Sequence, residues 1–134
     1  MVTVLVPVRY PLSAHSQHTL SRAVETAEER DGALVILHVD LYQNGEHVDR
    51  SMLKHAVEEE VDGVEDVRYL VRRGFLVEET ILEEVAAEEA DVVVIGHKQL
   101  GRWRRTIRRL KQDPDVESYL RERVDCELVT VPPP

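Results

Sequence analysis

Between residues 98 and 111 the chain gathers seven cations, Lys98, Arg102, Arg104, Arg105, Arg108, Arg109 and Lys111, and no acid. Guanidinium groups are planar forks of donors that match carboxylate and phosphate oxygens, so this cluster points to anion recognition. Trp103, Ile107 and Leu110 recur at i, i+4 and i+7, which predicts a short amphipathic helix over 102–110. Arg102, Arg105 and Arg109 flank its other side, with Lys98 just before it. Pairing with Glu-rich helices of this chain or of a second copy is the expected destination of that charge. An anionic ligand or an acidic partner surface is the functional alternative.

His97 follows the apolar run Val92-Val93-Val94-Ile95-Gly96 and is expected near Arg9, which follows the first apolar run. An imidazole beside cations protonates less readily and suits a neutral donor or base. No nucleophile stands nearby, so catalysis is not the expected role. His15 and His18, three apart near a helix start, lack a third ligand and predict no metal site. His55 with Glu58 and Glu59 reads as an exposed helical face, and His38 as a satisfied core histidine. Cys126 opens the last apolar run and reads as a small buried hydrophobe rather than a reactive thiol.

These residues must be held by something, and the hydrophobic pattern says what. Val2 to Val8 is apolar on both faces and too short for a membrane helix, which reads as a central strand of a parallel sheet. Further strands are expected at Ala33 to Asp40, Val67 to Arg73, Asp91 to Ile95 and Cys126 to Val131. Helical patterns separate them. One, capped by Ser13 or Ser16, buries Leu20, Ala23, Val24 and Ala27 and ends where Asp31-Gly32 supplies a left-handed position. A second, capped by Asp49 or Ser51, runs to about Val61. A third turns Val77, Ile81 and Val85 inward and Glu78, Glu79, Glu83 and Glu89 to water. Arg68 and Arg72 share one face of the third strand, marking it as a charged edge. The resulting β-α-β alternation predicts an α/β fold: a three-layer, open, five-stranded parallel sheet whose ligand crevice opens at the strands' carboxyl ends.

At 134 residues the chain reads as one domain with a single buried core. The formal net charge of −9 argues against broad nucleic-acid or anionic-membrane binding. No apolar run approaches the roughly 20 residues that span a bilayer, and the start carries no basic, cleavable leader. One cysteine excludes an internal disulfide, which favours a reducing cytoplasm. Three lysines accompany fourteen arginines and 26 acids, a balance suited to a halophilic source.

Val4-Leu5-Val6-Pro7-Val8 before a Ser-containing helix start, Leu37-His38-Val39 closing the second strand, Gly74 before the third helix, and Ala90-Asp91-Val92-Val93-Val94-Ile95-Gly96 together resemble the universal stress protein family. The final Cys126 to Val131 run looks like the family's last strand, with Glu127 in place of a proline. The resemblance covers nearly the whole chain. It implies a Rossmann-like sheet in the order 3-2-1-4-5, akin to that of adenine nucleotide alpha hydrolases, and a homodimer paired through the last strand. It also implies a crevice touched by Pro7, Arg9, Val39, Gly96, His97, Lys98, Gly101, Arg102 and Arg105.

Nucleotide-binding members keep an Asp after strand one, where this chain has Arg9. They also carry a glycine loop after strand four, whose amides cradle phosphates. Gly96 matches its first glycine, Gln99 stands at the second, Gly101 is displaced by two, and Pro114-Asp115 occupies the place of a Gly-Ser/Thr pair. The resemblance therefore implies a non-catalytic binding or stress-response domain with a degenerate nucleotide site and no certain cofactor. A working ATP or AMP site with a shifted phosphate loop is the alternative.

Overall fold

A computed structural model of the chain describes residues 1–45, 47–61, 66–97 and 116–134. Strands and helices alternate: β1 (Thr3–Pro7), α1 (Ala14–Glu29), β2 (Ala33–Leu41), α2 (Arg50–Glu60), β3 (Val67–Gly74), α3 (Val77–Ala87), β4 (Val92–Gly96), α4 (Val116–Arg123) and β5 (Glu127–Val131). The strands form one parallel sheet in the order β3-β2-β1-β4-β5. Expected and observed strands differ by one residue at most at any end.

Alternation along the central strands sends side chains to both faces, so each strand feeds two cores. Val4 and Val6 of β1 and Val8 just after it pack with Leu20, Ala23 and Ala27 of α1 and Leu53 and Val57 of α2. Leu5, Leu37, Val93 and Ile95 pack on the opposite face with Val77, Ile81 and Val85 of α3 and Val116 and Leu120 of α4. Helices on both faces of a parallel sheet account for strands that are apolar throughout.

Helix starts follow side-chain caps. The Ser13 hydroxyl accepts from the Ser16 amide at 3.0 Å, and the Asp49 carboxylate from the Met52 amide at 2.8 Å. The α1 terminus takes the left-handed turn expected at Asp31-Gly32, and the structure shows which residue of the pair supplies it. Asp31, not Gly32, takes the left-handed conformation, at φ 50°. The Gly32 amide donates to the Ala27 carbonyl at 2.8 Å and that of Asp31 to Glu28 at 3.2 Å, which closes a Schellman motif. Gly32 serves packing instead: a Cβ there would lie 2.5 Å from the Val2 carbonyl oxygen.

The edge strand β3 alternates as its sequence suggested, but its arginines do more than charge an edge. Arg68 pairs with Glu88 and Arg72 with Glu84, so β3 is clamped to α3. Glu84 is buried by this pairing. Glu78 was expected to face water and is instead 4 % exposed, because the first turn of α3 lies against the body of the protein. Arg30 at the end of α1 makes a two-pronged bond to Glu127 at 2.7 and 2.9 Å, joining α1 to the start of β5.

Candidate functional site

Where neighbouring strands lead to opposite sides of the sheet, their carboxyl ends leave a crevice that no crossover covers. Here the reversal falls between β1 and β4. Beside it, over the ends of β1 and β2, lies a cavity of about 440 Å³, within the range of small-molecule sites. Its walls include Arg9 and Tyr10 after β1, His38, Val39 and Asp40 of β2, and Met52 of α2.

Two cavity residues are set by strand alternation. On β2 the face turned toward α1 and α2 carries Leu34 and Ile36 in the core, and continues through His38 and Asp40. The His38 ring Nδ1 lies 2.9 Å from the Val8 carbonyl oxygen, which can only accept, so this nitrogen carries the hydrogen. Burial holds the ring's proton affinity below that of a free histidine, and the nearby Arg9 charge adds to this, against the Val8 bond and Asp40. The imidazole is therefore neutral, with Nε2 a bare acceptor. Asp40 is 3 % exposed. Its Oδ2 receives the Val48 amide at 3.4 Å and faces His47 Nδ1 and Arg73 Nε, each at 3.6 Å.

The crevice residues expected from sequence divide into three groups. Arg9 and Val39 line the cavity, whereas Pro7, the buried last residue of β1 paired with Leu37, is not part of its lining. Gly96 ends β4 opposite Val131, and His97 follows it with its amide donating to the Val131 carbonyl at 2.7 Å. His97 does not share the cavity with Arg9. Its Nδ1 lies 2.8 Å from Glu117 of α4, so the partner is an acid where cations were expected. Hydrogen bonds from His97 and Arg121 hold the Glu117 carboxyl below the usual carboxylate range. Lys98, Gly101, Arg102 and Arg105 lie outside the described residues, as does the rest of the 98–111 cluster.

His15 Nε2 lies 3.0 Å from the Val131 carbonyl oxygen, and among the described residues no three His, Cys, Asp or Glu side chains are grouped to hold a metal ion. Cys126 is half-buried at the amino end of the sheet, lining a separate cavity of about 730 Å³ between α3 and β5. Burial pushes its thiol above the ordinary value.

The universal stress protein family matches residues 1–132. The chain belongs to the universal stress protein family. Solved structures show the same fold. Universal stress protein UspA from Lactobacillus plantarum is 17% identical over 97% of both chains, with a TM-score of 0.64. A universal stress protein in complex with cAMP is 18% identical, over 97% of each chain, with a TM-score of 0.67. One from Archaeoglobus fulgidus in complex with dAMP is 16% identical, again over 97% of each, with a TM-score of 0.60. No curated protein matches the chain.

Within this universal stress protein Asp40 is a cavity residue that the sequence pattern does not single out. Its signal was present: His38 and Asp40 stand two apart in a strand and must share a face. What hid it was the expectation that β2 ends at Asp40, which makes an acid there look like a solvated terminus. β2 continues to Leu41, and the loop after it folds back to cover the carboxylate. Among the described residues, no helix is long and apolar enough to cross a membrane.

Proposed function

We propose that this universal stress protein acts by binding a small anionic ligand, of nucleoside monophosphate size or less, at the carboxyl ends of β1 and β2. The supporting observation is the cavity of about 440 Å³ with the Arg9 guanidinium in its wall. Where nucleotide-binding members of the family resemble one another in an acid after strand one, this chain offers donors only. Pro114-Asp115 in place of the last loop glycine argues in the same direction, because proline has no amide hydrogen and an acid repels phosphate. The role is binding rather than catalysis: His97, the residue best suited to proton transfer, is engaged with Glu117 away from the cavity.

The relatives solved with cAMP and dAMP favour a second reading, an adenine nucleotide site in which Gly96 and Gly101 form a shifted phosphate loop. Calorimetric titration with ATP, AMP and inorganic phosphate in high-salt buffer separates the two. The leading reading expects AMP or phosphate to bind with no need for magnesium. Micromolar, magnesium-dependent ATP binding would replace it with the second.

Two copies pair through β5 in this reading. That strand forms one edge of the sheet, and its Leu128, Val129 and Thr130 are half-buried. The single thiol and the acidic surface fit a reducing cytoplasm.

A further inference from the structure

Hydrogen-bond accounting around the cavity leaves two buried acceptors over. His38 and Asp40 are 7 % and 3 % exposed, yet each retains an acceptor atom with no protein partner among the described residues. On His38 the atom is Nε2, since Nδ1 is committed to Val8. On Asp40 it is Oδ1, since Val48, His47 and Arg73 all address Oδ2. Buried polar atoms are normally satisfied, and exceptions mark sites where something else provides the donor. The two residues stand two apart on one strand face, so their Cα atoms lie roughly 7 Å apart. Both residues line the same cavity.

We infer that the inner wall of the cavity, formed by Asp40 and His38, recognises an amino or amidine group of the ligand, while the ligand's anionic group lies toward Arg9. The inference rests on the binding role proposed above and specifies the chemistry of its ligand. A carboxylate and a neutral imidazole nitrogen both accept, so a ligand presenting oxygen lone pairs to this wall meets repulsion from Asp40. A ligand presenting N–H groups satisfies both atoms. The Arg73 guanidinium and the His47 ring remain on Oδ2 of Asp40 and leave Oδ1 to the ligand. The wanted ligand is thus an amino-bearing anion. Two sources share that chemistry: a nucleotide with an amino-substituted base, and a small aminoalkyl phosphate.

Matched pairs that differ chiefly in the amino group test this by calorimetry. GMP against IMP probes the nucleotide source, and O-phosphoethanolamine against glycerol 3-phosphate probes the other. The amino member of at least one pair is expected to bind tenfold tighter or more, and the responding pair names the source. In Asp40→Asn that preference is expected to vanish, with the variant's fold checked by its thermal transition. The wild-type comparison stands even if the variant unfolds. Equal binding within both pairs overturns the inference and leaves the binding role intact, as does a preference that survives in folded Asp40→Asn. If none of the four ligands binds, nor AMP or phosphate, the binding role itself fails and the inference falls with it.

Discussion

His38 shows how a single side chain links stability to the site. Its folded proton affinity lies below that of the unfolded chain because burial disfavours the charged ring. The sign follows from linkage. The unfolded state binds the proton more readily, so His38 supports the fold fully above about pH 6.5, the free-histidine value, and that support is lost as pH falls further. For one proton the slope cannot exceed about 1.4 kcal/mol per pH unit. Asn at this position keeps an N–H donor for the Val8 carbonyl and does not titrate. Urea denaturation at pH 7, 6 and 5 should therefore show wild-type stability falling more steeply than that of His38→Asn. Parallel curves for the two proteins would remove the titration of His38 from the account. The same neutral ring supplies the acceptor that faces the ligand, so acid should weaken binding and folding together.

At the scale of elements, the turn from α1 into β2 sets β2 beside β1. Two adjacent residues divide that task. Asp31 supplies the left-handed turn, at φ 50°, and Gly32 lets the chain pass within contact of the Val2 carbonyl. Exchanging their properties should have opposite effects. Asp31→Gly relieves a conformation that disfavours a side chain and should stabilise by up to about 1 kcal/mol. Gly32→Ala forces a methyl group against backbone that cannot move aside and should destabilise by about 2 kcal/mol. Denaturant midpoints measure both. Had Gly32 been the left-handed residue of the pair, Asp31→Gly would bring no gain. The clamp between β3 and α3 belongs to this scale as well. Arg68 and Arg72 read in sequence as edge protection, yet their acids lie on the helix that follows the strand, and only the crossover shows which Glu each meets.

Over the whole molecule, a formal charge of −9 sets two copies against each other, while a half-buried edge strand invites them to pair. Salt decides the balance, since the screening length falls from about 10 Å at 0.1 M to about 3 Å at 1 M. Light scattering should find the dimer fraction rising between 0.05 and 1 M KCl, at protein concentrations where both species are present. Thr130→Glu adds like charges across the proposed pairing edge and should shift the chain to monomer at every salt concentration. A dimer untouched by Thr130→Glu would place the contact elsewhere.

What could be read from residue order alone was nearly everything governed by local periodicity. Apolar runs of strand length between amphipathic stretches dictate the β-α-β alternation, because a segment's own pattern decides which faces it must hide. Ser13 and Asp49 could be named as caps because a cap acts within three residues of itself. Parallel strand direction followed as well, since helix-length crossovers between successive strands require it. The place of Arg9 directly after the first strand was readable in the same way. The tertiary structure decided which side chains meet across that frame. It set His97 against Glu117 rather than Arg9, buried Glu78, and brought Asp40 under its own loop to face the cavity beside His38. Such pairings join residues that no local pattern relates. They are fixed by how far each helix carries the chain before returning it to the sheet, a property of the packed whole.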